Sequence, residues 1–289
     1  MKPPEFRYRR AESLPEALEV LAADPDGTKV LAGGQSLMPV LGMRLAEPEV
    51  VLDISRIADL TSAAATVDGG MCYGACTVHA DVEDGRVPDV TNGLLPTVAA
   101  GIGYRAIRNR GTIGGSLAHA DPSAEWPVVM AALDATVVAR SATGSREITC
   151  AALADGYFTT VLEATEILTE IRVRPVPTGL TWGFCKIARK VGEFAESVAV
   201  TAIDGGTARV WLGGAAGTPL HLATVESALS EGARLSQPDV VRLVAADLVA
   251  AESSDADDEY RRHLHGVSCW RSMRDAMERT ANGAAKEAL

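Results

Sequence analysis

The chain has 289 residues, 47% of them apolar, and carries a net charge of −11 from 27 basic and 38 acidic side chains. A chain of this length can form two or three domains around a sizeable core. Its acidity argues against a sequence-independent nucleic-acid footprint, which rests on surplus Lys and Arg, so any bound phosphate has to be held mainly by backbone N–H groups.

No apolar run approaches the roughly 20 residues that cross a bilayer, and "MKPPEFRYRR" has positive charge with no apolar segment behind it. No membrane insertion is expected, and the cytoplasm is the expected compartment. The five cysteines (Cys72, Cys76, Cys150, Cys185 and Cys269) are scattered and odd in number, which suits free thiols.

In chain order, "SLPEALEVLAADPDG" predicts a short helix, with Ser13 and Glu16 spaced as a capping box and a Pro/Gly turn at its end. "TKVLAGG" reads as a buried strand breaking into a glycine loop, and "EVVLDISRI" as a further strand, giving a small β-α-β-loop-β unit over residues 1–58. From 59 to 176 a second unit is expected. In it "TVDGGMCYGACTVHADVED" is strand-turn-strand, "LLPTVAAGIG" is helix-like and "ATVVARSATGSREITC" is a hairpin. "RPVPTG" at 174–179 reads as a linker. Residues 177–289 follow with three consecutive strands in "TWGFCKIA", "SVAVTAID" and "TARVWLGGAAGTP", then helices in "QPDVVRLVAADLVAAE" and "DEYRRHLHGVSCWRSMRDAMERTANG". The fold class is α+β, and the acidic "ESSDADDEY" is read as a solvated loop.

Two glycine loops carry the chemistry, "LAGGQSLMP" at 31–39 and "RNRGTIGGSLAHADPSAEWP" at 108–127. Glycines stand where a ligand or another backbone approaches too closely for a Cβ. Successive N–H groups of such a loop can converge into a nest that binds an anion without a charged side chain. That suits a diphosphate in an acidic protein. Neither loop has the "GK[ST]" of a Walker loop or the G-x-G-x-x-G spacing of a nicotinamide-dinucleotide domain.

In order and spacing, "AGGQSL", "RNRGTIGGSLAHADPSAEWP" and "CKIARKVGEFA" resemble the FAD-binding medium subunit of the molybdenum hydroxylases, the family of xanthine dehydrogenase and carbon monoxide dehydrogenase. The resemblance spans nearly the whole chain. It implies a two-part FAD-binding portion of the vanillyl-alcohol-oxidase type and a smaller C-terminal domain. It also implies a non-covalent FAD, with molybdopterin and [2Fe–2S] clusters confined to partner subunits. The function that follows is electron transfer from an iron–sulfur small subunit, beside a molybdopterin large subunit, through FAD to an external acceptor, in a dimer of heterotrimers. The rival reading is a self-sufficient flavin oxidase of the vanillyl-alcohol type, for which no set of acid and base groups is evident.

The same resemblance places Leu31, Ala32, Gly33, Gly34, Gln35, Ser36 and Leu37, with Thr112, Ile113, Gly114, Gly115 and Ser116, around the FAD diphosphate, flanked by Gly101 and Ile102. Several members carry His where this chain has Gln35. Ala118 and Asp121 match positions near the ribityl and phosphate portion, and Glu125 matches an acidic cofactor contact. Leu168 and Lys186 match positions at the isoalloxazine ring, and Phe194 matches an aromatic that covers one flavin face. Valine at Gly114 is expected to expel FAD from a folded chain by filling the diphosphate's space, whereas Gly69 should tolerate the same change. Cys72 and Cys76 in "MCYGAC" are read as structural thiols, and His79 and His119 as hydrogen-bonded supporting residues with no catalytic role.

Overall fold

A computed structural model of the chain describes residues 2–177 and 179–287, with side chains described as far as residue 281; Thr178 of the expected linker lies outside the described residues. The Ser13 hydroxyl accepts from the Glu16 N–H and caps the helix Leu14–Ala23. The Glu16 carboxylate reaches back to the N–H of Glu12, at 2.9 Å, one residue before the cap.

This helix covers a three-stranded parallel sheet in which Val50–Asp53 lies between Arg7–Arg10 and Thr28–Leu31. The central VVLD is buried throughout, the continuous apolar run that a parallel strand covered on both faces requires. Leu31 and Asp53 are paired at the same end of the sheet, the carboxyl end. The first glycine loop leaves from there, where open parallel sheets present their ligand crevices.

Five antiparallel strands follow, in the order Ala63–Ala65, Met71–Gly74, Ile167–Val173, Thr136–Ser141 and Gly144–Thr149. The central strand Ile167–Val173 alternates only in its second half, because its first residues are sealed under helices, and a bulge separates Leu168 from Glu170. The helices Leu94–Ala100, Ile113–His119 and Glu125–Ala132 pack into the same core, with Trp126 fully buried among them.

The C-terminal sheet orders Thr181–Ile187, Ser197–Asp204, Thr207–Gly213 and Leu220–His221. The sequence reading counts three strands here; the structure adds the two-residue edge strand Leu220–His221, too short to show a period. It also adds the helix Ala223–Ser230 ahead of the two expected helices, Gln237–Ala250 and Glu259–Glu287. The last helix crosses the sheet so closely that a Cβ on Gly183 would stand 1.7 Å from the Ser272 carbonyl oxygen. The "ESSDADDEY" stretch is not wholly solvated, since Ser253 is buried and donates to the Ala215 carbonyl.

Candidate functional site

The first glycine loop leaves its backbone donors free. The consecutive N–H groups from Ala32 through Ser36 donate to no acceptor among the described residues, although Met38 N–H bonds Gly34 O and Val40 N–H bonds Ser36 O to start the helix Leu37–Gly42. Gly34 has φ of +74°, the left-handed conformation that a nest of successive N–H groups uses. Gln35 is exposed, and its side-chain amide folds back to Gly33 O at 3.3 Å.

The second loop is built differently. It follows the short helix Arg105–Arg108, not a strand. Most of its donors are engaged: Ile113 N–H bonds Thr77 O, Gly114 N–H bonds Ala75 O at 2.9 Å, Gly115 N–H bonds the Thr112 hydroxyl and Ser116 N–H bonds Thr112 O. Thr112 thereby caps the helix Ile113–His119. Gly114 is bare for a different reason from the expected one, because its Cβ would lie 2.5 Å from Ala75 Cβ and 2.6 Å from Ala75 O. Valine there would collide with the chain's own backbone, so the sequence-based expectation of a folded, flavin-free variant is corrected. Gly69 meets nothing within 4 Å, but its φ of +91° makes a β-branched residue strained.

The two loops lie against each other. A Cβ on Gly33 would stand 2.2 Å from Arg110 O and 2.8 Å from Gly111 Cα, and one on Gly115 would touch Ala32 Cβ at 3.7 Å. Behind them sits His79, buried and with its backbone N–H bonded to Gly111 O at 2.9 Å. Its Nδ1 accepts from the Trp126 indole N–H at 3.1 Å. Burial, with Arg108 nearby, pushes the imidazole pKa down to about 4, so the ring is neutral at ordinary pH.

A second group of expected residues meets where the C-terminal sheet joins the rest. Lys186 Nζ lies 2.6 Å from Glu125 Oε1 and donates to Gly101 O at 3.2 Å, beside Ile102. Burial holds the Glu125 carboxyl above the ordinary carboxylate range despite the ammonium. Asp121 Oδ1 accepts from Ser123 N–H two residues on, and Ala195 N–H bonds Ser123 O, which brings the turn carrying Phe194 alongside. Gly192 at φ +86° rests on the Tyr104 ring and Gly103 O. Phe194 itself is 65% exposed.

Not every expected residue presents a side chain. Leu168 is buried in the core with Ile113 and Leu117, and Ala118 is exposed near the end of its helix. The packing of Gly111 on His79 and the Glu125–Lys186 pair lie outside the sequence reading. The only sequence signal for the former is one more glycine ahead of "TIGGS".

Other constellations are buried or already engaged. Cys72 donates to Glu170 and Cys76 to Ile54 O, and burial raises their pKa values to about 11 and about 12, which leaves unreactive thiols. Ser197, His265 and Asp255 are joined by hydrogen bonds of 2.8 Å in the order of a hydrolase triad, but Ser197 and His265, the latter on the last helix, are fully buried where that helix packs on the sheet. Among the described residues no group of three or more His, Cys, Asp or Glu could hold a metal ion, and no helix is long and apolar enough to cross a membrane.

Ala32 through Ser36 leave a run of free main-chain donors, the kind of group that can receive an anion without a charged side chain. The family described as the FAD binding domain in molybdopterin dehydrogenase matches residues 4–177, and the chain belongs to it, as an FAD-binding medium subunit of an oxidoreductase of the molybdenum-hydroxylase type. It is 36% identical over 288 residues to the 6-hydroxypseudooxynicotine dehydrogenase complex subunit alpha of Paenarthrobacter nicotinovorans, covering 97% of this chain and 94% of that one. Its structure matches a chain of carbon monoxide dehydrogenase from Hydrogenophaga pseudoflava with a TM-score of 0.87 at 31% identity, over 96% of this chain and 99% of the other. A chain of quinoline 2-oxidoreductase from Pseudomonas putida 86 matches with a TM-score of 0.86 at 32% identity, over 97% and 99%.

Proposed function

We propose that this chain relays electrons from the [2Fe–2S] clusters of a small partner subunit through FAD to an external acceptor, in an assembly that includes a molybdopterin subunit and is doubled into a dimer of heterotrimers. The observation that carries the cofactor's placement is the row of unengaged N–H groups from Ala32 through Ser36 on an acidic chain. The assembly rests on similarity along the full chain to proteins named as subunits of such complexes.

FAD, when bound, supplies the electron-transfer chemistry; the chain's residues bind it, orient it and set its surroundings. Leu31 through Leu37 hold the diphosphate through main-chain donors, and Thr112 through Ser116 form the wall against which that loop is set. Asp121 and Ala118 border the ribityl portion, while Gly101, Ile102, Glu125, Lys186 and Leu168 frame the ring and Phe194 covers one face. Lys186 brings a positive charge to that frame, which favours electron density arriving beside it. In this reading residues 1–58 and 59–176 are the two FAD-binding parts and 177–289 the C-terminal domain.

Co-expression with an iron–sulfur chain and a molybdopterin chain, followed by size-exclusion chromatography, tests the assembly. The three chains are expected to co-elute with bound FAD. Elution of this chain alone, while the other two form an active flavin-free enzyme, contradicts it.

A further inference from the structure

Between the buried core and the glycine loops stands one unbroken stack of contacts. Trp126, fully buried, donates its indole N–H to His79 Nδ1. An indole nitrogen can only donate, so Nδ1 is the acceptor and the ring proton sits on Nε2. The ring's other edge presses on Gly111, where a Cβ would come within 2.8 Å of Nε2. Gly111 and Arg110 in turn press on Gly33, whose own Cβ would be 2.2 Å from Arg110 O. Three close approaches in series leave little room for either loop to move relative to the core.

We propose that His79 is a positioning residue for the diphosphate cradle, acting through Gly111 to set the spacing between the two glycine loops. This rests on the reading that the Ala32–Ser36 loop holds the FAD diphosphate. The imidazole fits the place for two reasons. It supplies the one acceptor that the Trp126 N–H needs in a site sealed from water, and its flat edge meets a glycine. A ring tilted by loss of that bond releases Gly111 from one side, and the stacked Gly33 loop with it. Side chains at 79 are thus read out at Ala32–Ser36, which His79 does not touch through any hydrogen bond.

The test measures the dissociation constant of FAD from the full-length chain, by flavin fluorescence, for the parent and for His79→Ala, His79→Asn, Gly111→Ala and His79→Ala/Gly111→Ala. Far-UV circular dichroism melts of the flavin-free proteins run alongside. His79→Ala and Gly111→Ala are each expected to weaken FAD about tenfold or more, and the double variant to fall short of the product of the two effects by at least about threefold, since removing the ring makes room for the new methyl. Asn carries an oxygen near the position of Nδ1 and is expected to recover most of the affinity lost in His79→Ala. Affinity losses that multiply, or that merely follow the melting temperatures with no rescue by Asn, overturn the proposal. A parent chain that binds no FAD overturns both it and the cofactor reading. A parent that binds FAD while the two positions stay uncoupled overturns this proposal alone.

Discussion

Lys186 Nζ stands 2.6 Å from Glu125 Oε1, with side chains 11% and 6% exposed, and so ties the first strand of the C-terminal sheet to the helix Glu125–Ala132 of the preceding core. Removing one member leaves the other charge buried and alone, which costs on the order of 3–5 kcal/mol. Lys186→Met is therefore expected to shift the urea unfolding midpoint sharply down, and Lys186→Met/Glu125→Met to regain a good part of the loss. Burial raises the Glu125 pKa, so the fold favours its protonated form. That contribution is complete below the ordinary carboxylate pKa and is lost as pH rises through the raised value. Glu125→Gln should flatten this part of the stability profile; a profile with its original slope contradicts the assignment.

His79 titrates in the opposite sense. Its pKa is depressed from 6.5 to about 4, so the unfolded chain binds the proton more readily. The stability it contributes is present above pH 6.5 and is lost as pH falls through about 4, a difference of about 3 kcal/mol. Denaturant titrations between pH 7 and pH 4 are expected to show this decline in the parent and a shallower one in His79→Asn. Equal slopes count against a neutral buried imidazole.

Among the glycines, Gly33 and Gly42 make a matched pair. Ala at 33 places its methyl on Arg110 O and parts the loops, so FAD retention after gel filtration should drop strongly. Ala at 42 meets nothing within 4 Å at the end of the helix Leu37–Gly42, and it should retain FAD with a stability change of no more than about 1 kcal/mol, in the favourable direction. Flavin contents that are alike in the two variants refute the close approach at Gly33.

Phe194 is exposed, so Phe194→Ala should change the melting temperature by little, within about 0.5 kcal/mol of stability. If its ring covers the flavin, loss of the aromatic lifts a quenching contact and bound-flavin fluorescence rises. Unchanged fluorescence removes Phe194 from the ring's surroundings.

Local signals were readable where one residue type has one structural use. Ser13 caps its helix, "VVLD" forms a strand, and 136–149 folds as a hairpin, although its two-residue turn is Ala142-Thr143 and the glycine of the TG already opens the second strand. The glycine motifs were legible as places of close approach, but their partners were not. Gly114 faces Ala75, Gly111 faces His79 and Gly33 faces Arg110, each across a separation in sequence that no period or spacing encodes. For the same reason Glu125 and Lys186, 61 residues apart, stood as two separate cofactor contacts although they are each other's partner. Leu220–His221 was missed because two residues cannot display alternation, and its pairing comes only from the neighbouring strand.

In the proposed function, FAD is held by the free N–H groups of the first glycine loop. Amide NMR of the full-length chain, titrated with FAD, tests this directly. The resonances of Ala32 through Ser36 are expected to move downfield and gain protection from exchange, while Gly114 through Ser116, whose donors are already engaged, move less. Saturating FAD that leaves the Ala32–Ser36 amides unshifted and freely exchanging contradicts the account.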